Sequence, residues 1–220
     1  MNEFLLTVGD ISIYLSVGIG ILYVIGFNKN SKAYRIFASY LILIALIQVG
    51  AYYVGRGYMS LPNLYYSHFY YIGQFVLLTW FYAVLLKSKW PYYLLVPVLI
   101  YAAYGFYNDP ESFYRYNTLG MSITSAILVI YSVLYLYKSI TEKGEFVIVS
   151  SGIFFYLLSS TLIFASHNLI SGTDLSKSTK NILTDLNLIL YLLFLVLIFV
   201  EWIKNYNSLK RSHKNGSNRG

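Results

Sequence analysis

The 220-residue chain is 57% hydrophobic and only 11% charged, which is too apolar for a water-soluble domain and typical of a polytopic membrane protein. Its formal net charge is +7, but the basic residues lie in short segments between apolar runs. That pattern indicates membrane topology and argues against nucleic acid as a partner. The absence of cysteine excludes disulfides, thiolate metal sites and cysteine nucleophiles.

Seven apolar segments follow one another along the chain, separated by short polar turns. Since about 20 apolar residues cross a bilayer as a helix, we predict an all-α fold, a seven-transmembrane-helix bundle. The bundle forms one domain over residues 1–207, and a disordered basic tail follows over residues 208–220. The predicted spans cover residues 4–27, 33–54, 63–87, 91–107, 117–140, 146–170 and 180–204.

The basic residues are distributed unequally between the two sides that seven spans define. Twelve of the 16 lie on the side of the turns after spans one, three and five and of the tail, namely Lys29, Lys32, Arg35, Lys87, Lys89, Lys138, Lys143, Lys204, Lys210, Arg211, Lys214 and Arg219. The positive-inside rule then predicts an N-terminus outside and a C-terminus in the cytoplasm, with the chain in the cell (inner) membrane. The basic tail is also expected to contact anionic membrane lipids.

The third span carries two polar side chains inside an otherwise apolar and aromatic helix. Counting 1.5 Å per residue, His68 lies roughly 7 Å from the start of the helix and Gln74 roughly 16 Å from it. Polar groups at such depth need partners, so we predict that this helix is central and that its polar face points into the bundle.

The predicted topology brings further polar residues to a similar depth near the outer boundary. Asp10, His167 and Asp185 lie within roughly 5 to 10 Å of it by the same count. The same layer contains Gln48, Ser122, Asn168, Asn181 and Asn187. The inner half of the bundle holds few polar residues beyond tyrosines, serines and threonines. Its one acidic residue, Glu201, is expected to reach the inner interface with its carboxylate. We therefore predict an outward-facing ligand-binding cavity formed by His68, Gln74, His167, Asn168, Asp185, Asn187 and Gln48.

Each of these residues also has a purely structural interpretation, which the sequence leaves open. His68 can bond a neighbouring tyrosine at the interface, and His167 can be a solvated residue at a helix end. Asp185 can pair with Lys180 or Arg56, and the two glutamines can join helices to each other. No cofactor is predicted, but convergence of His68, His167 and Asp185 within metal-bonding distance would make a zinc site.

The stretches YYSHFYYIGQFVLLTWFYAVLLK in span three, SGIFFYLLSSTLIF in span six and NILTDLNLILYLLF in span seven resemble the seven-helix membrane sensor domains of bacteria, which precede histidine kinases or stand alone. This resemblance implies a non-enzymatic sensory or ligand-binding protein that recognises a small molecule or a lipid headgroup. Only a short tail follows the last span, so signalling would require a partner protein.

Two functions of other classes stay open at the level of sequence. A metal-dependent intramembrane hydrolase would use the histidine and aspartate layer and needs a closed ligand set with a position for water. A small-solute transporter would need a polar path through the inner half of the bundle, and the sequence shows no such path.

Overall fold

The computed structural model describes the backbone of residues 3–58, 63–114, 117–171 and 177–217, without the side chains of residues 3–6, 63, 112, 164–171, 177–181, 183–184 and 206–217. Every regular element in these ranges is helical, which confirms the predicted all-α fold. Two short 3₁₀ turns accompany seven α-helices, which are α1 (Glu3–Ile25), α2 (Lys32–Gly55), α3 (Asn63–Leu86), α4 (Trp90–Asn108), α5 (Thr118–Thr141), α6 (Val147–Ser171) and α7 (Lys177–Ser217).

Among the described residues, five helical segments are long and apolar enough to cross a membrane. They are Thr7–Ile25, Lys32–Gly55, Leu64–Leu86, Thr118–Thr141 and Asp185–Asn205. The described apolar part of α6, Val147–Ile163, is shorter, and the five tyrosines of α4 lower its hydropathy. Helices of this length and composition indicate a membrane protein.

Six of the helices form a closed ring, and the fourth lies outside it. α1 packs against α2 and α7, α3 packs against α2 and α5, and α6 packs against α5 and α7. α4 rests on α3 with only a slight contact to α5, and Pro91 is the one residue that it buries. The interior of the protein is therefore built by α1, α2, α3, α5, α6 and α7.

Side-chain contacts between helices identify the two ends of the bundle. Lys138 donates a hydrogen bond to the Leu86 carbonyl (3.0 Å), which joins the last turns of α5 and α3 at what we call the basic end. At the opposite end, which we call the distal end, Arg56 after α2 forms a salt bridge of 3.2 Å with Asp10 of α1. Arg56 thus pairs with Asp10, and not with Asp185 as one structural interpretation had it.

A cluster of aromatic rings fills the half of the bundle nearest the basic end. Phe37 of α2 is fully buried, with its ring centroid 5.2 Å from Phe81, 5.6 Å from Tyr23 and 5.7 Å from Phe146. Phe146 precedes α6 in a left-handed conformation (φ 59°), which is costly for a bulky side chain and is offset here by burial of its ring. These four residues, called the aromatic cluster below, close this half of the bundle.

Glu201 of α7 lies inside the bundle near the basic end. Its side chain is fully buried, and one carboxylate oxygen accepts a hydrogen bond from the backbone N–H of Ile148 (3.0 Å). The other oxygen lies 3.3 Å from the Lys204 ammonium. The first turn of a helix has unpaired N–H groups and a partial positive charge, so this carboxylate stabilises the start of α6.

The last helix is longer than the predicted seventh span. α7 continues to Ser217, beyond the predicted end of the seventh span at Lys204. The disorder of residues 208–220 stays a prediction.

Replacing Phe37 with alanine is expected to lower the free energy of unfolding by about 3 to 5 kcal/mol, because it opens a void inside the aromatic cluster. The matched control is Phe155→Ala on α6, whose side chain is 62% exposed and should cost less than about 0.5 kcal/mol. Unfolding of both variants in the same detergent, followed by circular dichroism, tests this. Equal losses would show that the aromatic cluster has no special role in stability.

Candidate functional site: a polar cavity in the distal half

A cavity of about 390 Å³ lies between α2, α3, α5, α6 and α7. It extends from Ser67 and Thr118, near the distal starts of α3 and α5, down to Gln74 and Leu157 at mid-helix depth. Its volume falls within the range of small-molecule sites. The full lining consists of Gln48, Ser67, Tyr70, Tyr71, Gln74, Thr118, Met121, Ser122, Thr124, Ser125, Tyr156, Leu157, Ser160, Thr161, Asn187, Leu188 and Tyr191.

Three carboxamide side chains from three different helices meet at this cavity. Gln48 of α2, Gln74 of α3 and Asn187 of α7 all line it, and the carbonyl oxygen of each is buried and accepts no hydrogen bond from the described part of the chain. Gln74 is only 4% exposed, while Gln48 donates through its amide nitrogen to the Tyr191 hydroxyl (2.6 Å). A buried acceptor without a donor is costly, so a ligand that supplies donors gains most here.

The hydroxyl groups of the lining add further acceptors. Ser67 donates to the Leu64 carbonyl at 2.6 Å, and Thr124 donates to the Gly120 carbonyl at 2.9 Å. A serine or threonine hydroxyl that donates to its own helix keeps its lone pairs free. The cavity is therefore rich in hydrogen-bond acceptors.

The lining carries no formal charge, since the described residues around the cavity include no aspartate, glutamate, histidine, lysine or arginine. Four tyrosines, Tyr70, Tyr71, Tyr156 and Tyr191, supply aromatic surface, and the rings of Tyr156 and Tyr191 lie 5.7 Å apart. An ion that entered without a counter-charge would lose its hydration at great cost. The arrangement therefore suits an uncharged molecule with O–H or N–H groups and an apolar part.

His68 lies behind the wall of the cavity and does not line it. Its side chain is 1% exposed and packs edge-on against Phe106 (5.2 Å), Phe113 (5.4 Å) and Tyr71 (5.8 Å). Tyr71 separates it from the cavity, and the Tyr71 hydroxyl accepts a hydrogen bond from the Asn117 side chain (3.3 Å). His68 thus holds α3 against α4 and the turn after it, and positions Tyr71.

The remaining predicted site residues lie elsewhere or outside the described side chains. Asp185 is partly exposed and is not among the lining residues, although Asn187 two positions later is. The side chains of His167 and Asn168 lie outside the described residues, so nothing is said of their contacts. Within the described part of the chain, no three His, Cys, Asp or Glu side chains are grouped as a metal site would require. Zinc binding by His68, His167 and Asp185 stays a prediction.

The site residues predicted from the sequence do not include the four cavity tyrosines, although Tyr71 shares a helix face with Ser67 and Gln74. Tyr156 shares a face of its helix with Ser160, and both line the cavity, so the helical spacing contained a usable signal. Tyrosine is too frequent in this chain, with 25 copies, for its identity alone to distinguish Tyr70 or Tyr191 from a residue that merely packs. Only the packing of the helices makes that distinction.

Because the Gln74 carbonyl accepts no hydrogen bond from a described residue, replacing this glutamine with an apolar residue is expected not to destabilise the protein. Gln74→Leu should leave the free energy of unfolding unchanged or raise it by about 1 kcal/mol, because it removes a buried acceptor that has no donor. Gln48→Leu should instead lower it by about 1 kcal/mol, because it also removes the hydrogen bond to Tyr191. Thermal unfolding of the ligand-free protein in detergent distinguishes the two. A loss at Gln74 as large as that at Gln48 would contradict the assignment of an unpaired oxygen.

Comparison with known proteins does not assign this chain to a family. No protein-family model, no curated protein and no solved structure matches this chain. The functional argument therefore rests on the chemistry of the cavity.

Proposed function

We propose that this chain is a seven-span protein of the cell inner membrane, with its N-terminus outside and its C-terminus in the cytoplasm. The five long apolar helices support membrane insertion. The excess of lysine and arginine at the basic end supports an orientation in which that end faces the cytoplasm. In this orientation the distal end, and with it the polar cavity, faces the outside.

We further propose that the cavity binds a small uncharged molecule or lipid headgroup that presents O–H or N–H donors. The observation that carries this proposal is the meeting of three buried amide oxygens without donors, from Gln48, Gln74 and Asn187, in one cavity. A ligand with two or three donors pairs these oxygens, and the tyrosine rings cover its apolar part. Natural proteins leave few buried acceptors without a donor, and such exceptions are expected at functional sites, so a binding role accounts for these three.

Receptor function accounts for the arrangement better than the two alternatives do. A transporter needs a path to the basic end, and the aromatic cluster around Phe37 lies across that path. A hydrolase needs an acid, a base or a metal site at the substrate, and the described lining residues are uncharged. In the receptor proposal, which the likeness to bacterial sensor domains also favours, ligand binding is passed to a partner protein on the cytoplasmic side.

The orientation is tested with reporter fusions. A reporter fused after Gly220 should report the cytoplasm, because the basic end lies there under the positive-inside rule. A second reporter inserted after Asp109, between α4 and α5, should report the outside. If the first reporter signalled the outside and the second the cytoplasm, the orientation would be the opposite of the proposed one, and the cavity would face the cytoplasm.

Ligand chemistry is tested with three probes of equal chain length, namely 1-O-octylglycerol, octanoate and octylamine. We expect binding of the uncharged glycerol ether and none of the two ions, since the lining offers acceptors but no counter-charge. Gln74→Leu and Asn187→Leu should each weaken binding by about fivefold or more, as expected for one lost neutral hydrogen bond. Isothermal titration in a detergent with a long chain measures these affinities.

The control for the binding experiment is Asn108→Leu, which removes an exposed carboxamide at the distal end of α4. It should leave the affinity unchanged. Free glycerol, included as a further probe, separates a soluble polyol from a headgroup that needs its chain. Tight binding of octanoate or octylamine, or equal affinities of Gln74→Leu and the parent protein, would overturn the proposal.

A further inference from the structure

A second concave surface lies on the outside of the bundle, in the groove between α2 and α3 near the basic end. It encloses about 300 Å³ and is separate from the polar cavity. Two cationic side chains, Lys32 and Arg35, stand at one side of it, with Ser39 one turn further along α2. Ile36, Leu77 and Trp80 form its apolar wall. We call this surface the α2–α3 groove.

The two cations of the groove form no ion pair within the described part of the chain, although Lys32 also lines an adjoining cavity that contains Glu142 and Glu145. Lys32 and Arg35 are both exposed. Two other lysines at the same end, Lys87 and Lys138, do have a partner, because both approach Glu142 (3.9 and 3.8 Å). The groove is thus a site where an anion from outside the protein would meet two free cations.

The order of the groups along the groove matches the order of groups in a phospholipid. Lys32 begins α2 at the basic end and Arg35 follows within one helical turn. Trp80 of α3 lies about 9 Å from the end of its helix at Leu86, counting 1.5 Å per residue, and is 43% exposed. Cations at the headgroup level, a tryptophan just below and aliphatic side chains alongside are the groups that suit a phosphate, a glycerol and an acyl chain.

We propose that the α2–α3 groove binds one anionic phospholipid of the surrounding leaflet. The phosphate lies on Lys32 and Arg35, and an acyl chain runs along Ile36 and Leu77 beside the Trp80 ring. Charge complementarity selects an anionic over a zwitterionic headgroup, since basic sites between helices at the cytoplasmic side attract anionic lipids. This site is independent of the polar cavity and of its ligand.

Trp80 provides a reporter for the bound lipid. The full-length protein is placed in phosphatidylcholine nanodiscs that contain a minor fraction of brominated phosphatidylglycerol, whose bromine atoms quench a neighbouring indole. Trp80→Phe identifies the contribution of Trp80 among the three tryptophans. Brominated phosphatidylglycerol should quench Trp80 at a lower mole fraction than brominated phosphatidylcholine does.

Removal of the two cations should abolish that difference. For Lys32→Gln with Arg35→Gln, the half-saturating mole fraction of phosphatidylglycerol should rise by roughly 30-fold, as expected for two cations near an anionic headgroup. The matched control, Lys29→Gln with Lys89→Gln, removes the same charge at the same end but outside the groove, and should not change it. Both pairs are exposed and without salt bridges in the described chain, so folding should be retained.

Equal quenching by the two brominated lipids in the parent protein would overturn the proposal. An equal loss in the control pair would also overturn it, because the preference would then reflect net charge and not the groove. If the Lys32 and Arg35 double variant still preferred phosphatidylglycerol to phosphatidylcholine, the anionic lipid would bind outside the groove and the proposal would be wrong. Failure of the polar cavity to bind its probes would leave all of these outcomes unaffected.

Discussion

The packing of aromatic rings around Phe37 is the interaction on which the rest of the structure depends. Inside a bilayer, helices gain little from burying apolar surface, because lipid chains are as apolar as leucine. Close contact between large, shaped surfaces supplies the attraction instead, and the aromatic cluster joins α1, α2, α3 and the start of α6 in this way. With that half of the bundle closed, the distal half is free to hold a cavity.

The polar lining of the cavity lowers the stability of the fold. Its serines and threonines satisfy their donors within their own helices, as Ser67 and Thr124 do, but Gln48, Gln74 and Asn187 keep buried oxygens without donors. At Gln74 an apolar residue would fold at least as well, whereas at Gln48 it would also remove the hydrogen bond to Tyr191. The polar cavity thus lies in the distal half, and the aromatic packing lies in the opposite half.

Two carboxylates of the described helices, one near each end of the bundle, have structural partners. Asp10 pairs with Arg56 at the distal end, while Glu201 binds the first turn of α6 at the basic end. These pairs explain why a carboxylate can exist in so apolar a chain without marking a catalytic centre. The cations of the α2–α3 groove differ, because no described carboxylate lies within salt-bridge distance of them.

The sequence by itself determined the all-α fold and the seven helices, and it predicted that Gln48, Gln74 and Asn187 line a cavity, because hydropathy and an amide in an apolar run are local properties. Tertiary structure alone decided that α4 lies outside the ring and that His68 faces an aromatic pocket. On the third helix, Ser67, Tyr71 and Gln74 share a face and line the cavity, but helical periodicity cannot show that the adjacent His68 turns toward Phe106 and Phe113 instead. The direction of a side chain on such a helix depends on its neighbours, and those are set by packing across the whole bundle.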